Sequence, residues 1–274
     1  MSKRQRIPIL MYHSISSSHN PKFQQFAVLP GSFSEQMAYL QTHGYTSLTV
    51  TQLACARAEG STLPEKSVVL TFDDGFADFF TAALPVLQRY RFGATLYVAT
   101  AYIGKTSSWL SHEKEADRAM LTWEQLKEIA ASGIECGGHT HSHPQLDILS
   151  TPRAREEIQQ CKSILEDHLQ QTIDSFAYPY GYQTSSLRQL VQNTGYSSAC
   201  AVQHRASTED DDPFALGRLM ISANSSLKEF ASLLSGQSLS PATATSQLYA
   251  RVRTPLWQLL RRGKASIAQL QKNG

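Results

Sequence analysis

The sequence predicts an α/β fold in which parallel strands close into a barrel. Apolar segments of strand length alternate with stretches of helical period, and this alternation is typical of a parallel sheet covered by helices. Helix-start and helix-stop signals separate the segments. Seven predicted strands in a chain of 274 residues favour a closed barrel over an open doubly wound sheet.

Each predicted element has its own signal. The strands, in chain order, are PILMY from Pro8, SVVLTF from Ser67, GATLYVA from Gly93, GIECGG from Gly133, SFAY from Ser175, SSACAV from Ser197 and RLMIS from Arg218. Three helix starts fit a capping box, a hydroxyl residue three positions before Glu or Gln: Ser32 with Glu35, Thr122 with Gln125, and Ser226 with Glu229. Helix ends are predicted at Gly44, Gly133 and Gly195.

A change in composition predicts where the barrel ends. Residues 1–235 form the predicted catalytic domain, and the Ser/Thr/Ala/Pro-rich stretch 236–247 is typical of a linker. Residues 248–274 form a basic amphipathic tail, and no acidic residue follows Glu229. This tail could lie on an anionic membrane surface as an interfacial helix, or it could pack against the barrel.

Charge, cysteines and the N-terminus narrow the class of protein. A formal net charge of +2 gives no argument for a nucleic-acid partner, and none is predicted. The apolar run near the N-terminus is too short for a signal-peptide core or a membrane span. Four widely spaced cysteines without a CxxC motif predict free thiols. The expectation is a cytoplasmic protein, peripheral at the inner membrane if the tail binds there.

Three of the predicted strands end in polar residues that suit a metal site. His13 follows the first strand, Asp73 and Asp74 follow the second, and His139 and His143 follow the fourth. Since the carboxyl ends of barrel strands meet at one mouth, these side chains are expected to lie close together. Asp74 and the two later histidines make a three-ligand set with open positions for water and substrate. A chance cluster of histidines in a polar loop is the competing interpretation.

The metal and the second aspartate follow from the same chemistry. Zinc is the expected ion, and cobalt, nickel, iron or manganese would also suit two histidines and a carboxylate. One aspartate is enough for the metal, so Asp73 is predicted to be a general base that accepts a proton from water whose pKa the metal lowers. The alternative for this pair is an ordinary Asp-Gly turn, with Gly75 at positive φ.

Three motifs resemble those of the NodB-homology polysaccharide deacetylases, carbohydrate esterase family 4. TFDDG at 71–75 and HTHSHP at 139–144 are similar to the family's first two motifs, and FAYPYG at 176–181 is similar to the third. The resemblance covers about residues 7–235. It implies a distorted (β/α)7 barrel and metal-assisted hydrolysis of an acetyl group on a sugar.

The resemblance also implies roles for single residues. Asp74, His139 and His143 would bind the metal, Asp73 would activate water, and the backbone N–H of Tyr180 would help to bind the oxyanion. The family has an arginine at the position of Ala177 that orients the base. Arg218 is the candidate substitute, and a surface salt bridge is the alternative role for it.

The catalytic acid is expected near the start of the chain, whereas most members of the family carry it in a late motif. A late Leu-x-His motif commonly supplies it, and no Leu-x-His follows residue 181 here. The opening PILMYHSI resembles the poly-N-acetylglucosamine deacetylase subgroup, in which an early histidine is the acid. His13 is therefore the predicted acid, with a simple strand-capping histidine as the alternative.

The predicted activity is removal of an N-acetyl group from an amino sugar, in a polysaccharide or in a lipid- or nucleotide-linked precursor. An O-acetyl or N-formyl sugar is an alternative substrate. A carbohydrate-binding barrel that has lost catalysis is a further alternative, and the retained Asp73 argues against it. A purely structural zinc would call for four protein ligands rather than three. Trp109, in the long loop after the third strand, is expected either to stack on a sugar or to be buried.

Overall fold

The strands of the computed structural model form the predicted barrel. The structure describes residues 5–17, 20–223 and 225–235. The strands are β1 (Ile9–Tyr12), β2 (Ser14–Ile15), β3 (Ala27–Val28), β4 (Thr46–Leu48), β5 (Ser67–Phe72), β6 (Thr95–Val98), β7 (Glu135–Gly138), β8 (Ser175–Ala177), β9 (Ser198–Val202) and β10 (Leu216–Met220). The helices are α1 (Pro30–Thr42), α2 (Val50–Glu59), α3 (Leu84–Tyr90), α4 (Trp123–Ala131), α5 (Thr151–Leu169), α6 (Ser185–Asn193) and α7 (Leu227–Leu234).

The barrel closes through β1. Parallel strands follow one another in the order β1, β5, β6, β7, β8, β9, β10, and these are the seven strands predicted from the sequence. Leu10 of β1 lies opposite Leu70 of β5 on one side and opposite Leu219 of β10 on the other. The predicted (β/α)7 barrel is confirmed. The short strand β4, which was not predicted, pairs with the first half of β5. The second half of β5 pairs with β6 along the same edge.

Alternation along the strands divides the apolar side chains between two layers. In β1, Leu10 and Tyr12 pack between the barrel and the helices, whereas Ile9 belongs to the cluster inside the barrel. Tyr97 is a fully buried member of that inner cluster. Gly137 of β7 makes room for it, because a Cβ at this position would lie 2.5 Å from the Tyr97 ring.

Helix α2 covers the amino ends of the strands. Val50 and Leu53 of this helix join the inner cluster. The backbone N–H of Val50 donates to Thr95 Oγ1 at 3.0 Å, at the start of β6. With this end covered by a helix, the polar residues at the opposite ends of the strands face the cleft described below.

Two of the three predicted capping boxes are confirmed. Thr122–Gln125 and Ser226–Glu229 show both reciprocal hydrogen bonds of the motif. The prediction at Ser32–Glu35 is wrong, because Pro30 occupies the first helical turn and α1 begins there. Proline at this position has its φ preset for a helix and lacks only an N–H that would have no partner. The predicted helix ends are confirmed, each with a positive-φ glycine just beyond the helix: Gly44, Gly133 and Gly195.

The predicted linker at 236–247 and the basic tail at 248–274 lie outside the described residues. The last described helix, α7, falls within the predicted domain 1–235. In the part of the chain that is described, no helix combines the length and the apolar character needed to cross a membrane. All four cysteines are free thiols, and three are buried while Cys55 is exposed.

Candidate active site

The carboxyl ends of the barrel strands open into a cleft of about 680 Å³. Seven residues singled out in the sequence line it: His13, Asp73, Asp74, Trp109, His139, His143 and Tyr180. Arg218, the eighth, is completely buried and contacts Asp73. The parallel strands thus bring together residues that are far apart in the chain, and Asp73 and Arg218, which are in contact, are 145 positions apart.

Asp74, His139 and His143 form a buried cluster that could hold a metal ion. One ligand atom from each residue lies within 4.8 Å of the other two. Asp74 Oδ1 is 3.1 Å from His143 Nε2 and 3.5 Å from His139 Nε2. Burial raises the pKa of Asp74, but the neighbouring imidazoles of His139 and His143 outweigh this effect and hold the pKa well below its usual range. Asp74 is therefore ionised, as a metal ligand must be.

The backbone of β8 fixes the orientation of His139. The carbonyl oxygen of Ala177 lies 2.8 Å from His139 Nδ1, and because a carbonyl can only accept, this nitrogen carries the proton. In the neutral ring the lone pair is then on Nε2, the atom that faces Asp74. A backbone partner of this kind is typical of histidines that bind metals.

Left-handed backbone geometry shapes the loop that carries the histidines. Thr140 has φ 67° and His143 has φ 56°, in a region that residues other than glycine seldom adopt. Thr140 Oγ1 accepts a hydrogen bond from the backbone N–H of His143 at 3.0 Å. This hydrogen bond closes a turn that brings His143 close to His139. His141 has a separate partner, with its Nδ1 2.9 Å from Thr100 Oγ1.

Asp73 is clamped by a buried arginine. Arg218 Nη1 donates to Asp73 Oδ1 at 2.6 Å and Nη2 donates to Oδ2 at 2.7 Å. Because the arginine has no exposed surface, the alternative of a surface salt bridge is wrong. Burial raises the pKa of Asp73, but the charge and hydrogen bonds of Arg218 outweigh it, so this pKa lies below its usual range. Ala177, at the position of the family's arginine, lies in the inner cluster.

His13 reaches the cleft from the end of β1. Its ring packs 5.0 Å from the ring of Phe26, and its Nδ1 is buried with no hydrogen-bond partner among the described residues. Burial lowers the pKa of His13, while the carboxylates of Asp74 and Asp73 oppose that shift. The net effect is a lowered pKa, and an imidazole with a lowered pKa releases its proton more readily.

Two aromatic rings flank His143. Its ring centroid lies 5.2 Å from that of Trp109 and 4.9 Å from that of Tyr180. Trp109 is part of the short helical segment Ser108–Glu113 and also packs 4.3 Å from Tyr102. The loop after β6 therefore does extend over the mouth of the barrel, and Trp109 both packs within it and lines the cleft.

Residues 60–199 match a family model described as polysaccharide deacetylase. The chain belongs to this family. It is 30% identical over 232 residues to YxkH of Bacillus subtilis, an alignment that covers 85% of this chain and 77% of YxkH. It is 27% identical over 239 residues to the poly-β-1,6-N-acetyl-D-glucosamine N-deacetylase of Escherichia coli strain K12. That alignment covers 75% of this chain but only 35% of the E. coli protein.

Solved structures of other deacetylases share the fold of this family member. The deacetylase PplD of Streptococcus pyogenes, solved in complex with acetate, superposes with a TM-score of 0.74 at 27% identity. The superposition covers 85% of this chain and 99% of PplD. IcaB of Ammonifex degensii gives a TM-score of 0.69 at 25% identity, covering 85% of this chain and 98% of IcaB. The resemblance seen in the sequence is confirmed.

One support of the histidine loop in this polysaccharide deacetylase was not predicted. Glu157 of α5 is buried, and its carboxylate accepts hydrogen bonds from the backbone N–H of Ser142 at 2.7 Å and from its hydroxyl at 2.5 Å. Its carbonyl oxygen accepts the N–H of His141 at 3.1 Å. A signal for it was present, because Glu157 interrupts the row of apolar residues on the buried face of α5, next to Ile158.

A second unpredicted network holds the segment that follows His13. Arg118 Nη2 donates to Ser14 Oγ at 2.6 Å and to Asp78 Oδ2 at 3.0 Å. The other oxygen of Asp78 accepts the backbone N–H of Ile15 at 3.0 Å. These residues come from three distant parts of the chain, and no local pattern in the sequence points to their meeting.

If the cluster of Asp74, His139 and His143 binds zinc, replacing Glu157 by Gln is expected to weaken that binding about 10- to 100-fold, because Glu157 holds Ser142, the neighbour of His143. In wild type the N–H and the hydroxyl of Ser142 each donate to one carboxylate oxygen of Glu157. In the glutamine variant one of these oxygens becomes an NH2 group, which can only donate, so one of the two hydrogen bonds is lost. Competition with a chromophoric zinc chelator measures the affinity. Glu156→Gln is the matched control, since Glu156 is exposed and pairs only with exposed Arg153 in the described structure. Equal zinc affinity of the two variants would contradict a supporting role for Glu157.

Proposed function

We propose that this protein hydrolyses the N-acetyl groups of N-acetylglucosamine residues in a polysaccharide. One observation supports this most directly: three buried residues able to bind a metal and a carboxylate clamped by a buried arginine face the same cleft. The named activity of the E. coli relative agrees with this proposal. Residues 1–235 are the proposed catalytic domain, and membrane contact through the tail stays a prediction.

The proposed metal ligands are Asp74, His139 and His143. Two imidazole nitrogens and one carboxylate oxygen fit zinc, and three protein ligands leave coordination positions open for substrate. A divalent cation bound there would supply Lewis-acid chemistry, polarising a carbonyl group and lowering the pKa of water. Cobalt, nickel, iron and manganese accept the same donors, and zinc is the ion we propose.

Asp73 is the proposed base, and Arg218 is the residue that positions it. Both carboxylate oxygens of Asp73 are hydrogen-bonded by the guanidinium, which fixes the plane of the carboxylate. The lowered pKa keeps the group ionised and able to accept a proton at neutral pH. Arg218 would thus replace, from β10, the arginine that the family usually carries at the position of Ala177.

His13 is the proposed acid, and Tyr180 and Trp109 would contact the substrate. His13 lines the same cleft as Asp73 and Asp74, so it could give a proton to a leaving amine there. The backbone N–H of Tyr180 would donate to the oxygen of the acyl group. Trp109, which packs on His143, would contact the sugar ring.

Acetate release from β-1,6-linked N-acetylglucosamine oligomers tests the proposal, with a nucleotide-linked acetamido sugar, an O-acetylated xylan and an N-formyl sugar as competing substrates. The zinc-loaded protein is expected to release acetate from the oligomers. His139→Ala should lose zinc and activity, whereas His141→Ala, a change in the same loop, should retain zinc. No release from any substrate by the zinc-loaded protein would overturn the proposal and favour a barrel that only binds carbohydrate.

A further inference from the structure

The cleft extends past the metal cluster along a pair of stacked tyrosines. Tyr180 and Tyr182 both line the cleft, with ring centroids 6.3 Å apart and planes inclined by 20°. Tyr180 packs against His143, and Tyr182 packs against Tyr180. Tyr182 therefore contacts the proposed metal site through Tyr180. Tyr180 is also 49% exposed, which is unusual for a large aromatic residue in the described part of the chain. Tyr180 thus presents an exposed ring at the edge of the site, and Tyr182, which is half-buried beside it, extends the same aromatic surface.

The backbone beneath this tyrosine pair is held in place. Gly181, between the two tyrosines, has φ 74°, and a Cβ there would lie 2.5 Å from the side chain of Val202 in β9. The N–H of Gly181 donates to the carbonyl of Tyr178 at 2.9 Å, and the Tyr178 hydroxyl donates to the carbonyl of Phe214 at 3.0 Å. Rings on such a turn lose little conformational entropy when a ligand stacks on them.

The charges around the cleft favour a neutral ligand over a diphosphate. Among the described residues that line it, the single lysine or arginine is Lys22. Its ammonium group donates to the carbonyl of His112 at 3.0 Å, and the next residue, Glu113, adds a carboxylate. Recognition of phosphates normally uses clustered arginines, lysines or a helix N-terminus. A sugar ring needs only an aromatic face and hydrogen-bonding groups.

We propose that Tyr180 and Tyr182 bind the sugar next to the one that loses its acetyl group. This inference rests on the proposed function and makes it more specific: the substrate is a neutral oligosaccharide of at least two sugars, and a sugar linked to a diphosphate is a poor ligand. The two rings would stack on the apolar face of the second pyranose, while the acetamido sugar lies at the metal cluster beside His143.

Binding to an inactive background tests this inference separately from catalysis. Zinc-loaded Asp73→Asn protein is titrated calorimetrically with a tetramer of β-1,6-linked N-acetylglucosamine. Adding Tyr182→Ala is expected to weaken binding about five- to tenfold, the range for loss of one aromatic stacking contact. Adding Tyr182→Phe should leave affinity within about twofold, because the ring remains. Equal affinities with and without the Tyr182 ring, or no binding of the tetramer, would overturn the inference.

The outcomes separate the inference from the function on which it rests. If the tetramer binds with the expected dependence on Tyr182 but wild-type protein releases no acetate, the tyrosine site stands and the proposed activity fails. If wild type releases acetate and the Tyr182→Ala change affects neither KM nor affinity, the activity stands and the tyrosine site fails. Tighter binding of a nucleotide-linked acetamido sugar than of the tetramer would also overturn the inference.

Discussion

Asp73→Asn is expected to lower the turnover of acetyl hydrolysis at least about a hundredfold, since a positioned general base contributes roughly 10²–10⁴ to the rate. Asparagine has nearly the same shape but cannot accept the proton. Its amide oxygen can still accept one hydrogen bond from Arg218, so the side chain should stay in place. Zinc content should not change, because Asp73 lies outside the cluster of ligand atoms. The measurements are kcat for acetate release and zinc per protein by mass spectrometry.

Asp74→Asn is the matched control for this experiment. The two aspartates are neighbours in the chain, yet Asp74 contacts His139 and His143 while Asp73 contacts Arg218. The Asp74 variant should lose both zinc and turnover, whereas the Asp73 variant should lose turnover alone. An Asp73→Asn protein that turns over at the wild-type rate would exclude Asp73 as the base, and loss of zinc from it would place Asp73 among the ligands.

The arrangement of the barrel could be predicted because its signals are local. The run SVVLTF is β-branched and apolar, and it forms β5 over the residues predicted. Thr122 and Gln125 are three residues apart, so their capping box can be recognised without knowing the fold. The strand β4 lacked such a signal, because Thr46–Leu48 is short and partly exposed and does not show an apolar run.

The candidate site could be predicted only as far as its residues are close in sequence or stand at strand ends. His139 and His143 are four residues apart and directly follow β7, so their proximity follows from a short loop. Asp73 and Arg218 are 145 positions apart. Their contact depends on β1 standing between β5 and β10 in the closed barrel, and neither the periodicity nor the spacing of the sequence determines this neighbourhood.

If Asp73 is the base, as proposed, the Asp73–Arg218 pair also accounts for the lack of an arginine at position 177. Ala177 faces the inside of the barrel at the end of β8, and its carbonyl oxygen is used to orient His139. Arg218 approaches Asp73 from β10 and lies over the ring of Tyr97, with 5.7 Å between the guanidinium carbon and the ring centroid. The Tyr97 ring thus supports the guanidinium while both Nη atoms face the carboxylate of Asp73.

Arg218→Met is expected to destabilise the protein by about 3–5 kcal/mol at neutral pH, the usual cost of leaving one member of a buried ion pair without its partner. Methionine fills much of the same space, so the loss should come mainly from the charge left on Asp73. Burial is the largest influence on the pKa of Asp73 and raises it. Without Arg218 that pKa should therefore lie above its usual value. The variant should also lose activity, because its base would be partly protonated.

The pH dependence separates this electrostatic effect from simple loss of packing. In wild type the depressed pKa of Asp73 stabilises the fold above the pKa of the unfolded chain, and this contribution is lost as pH falls through the folded-state value. In Arg218→Met the raised pKa has the opposite sign, so acidification relieves the unpaired charge. The gap in unfolding free energy between the two proteins should therefore narrow from pH 7 towards pH 5, measured by urea denaturation. The double variant Asp73→Asn/Arg218→Met should be more stable than Arg218→Met alone at pH 7, because residue 73 no longer carries an unpaired charge. A gap that is independent of pH, or a double variant no more stable than the single one, would show that Arg218 contributes packing rather than charge to the base.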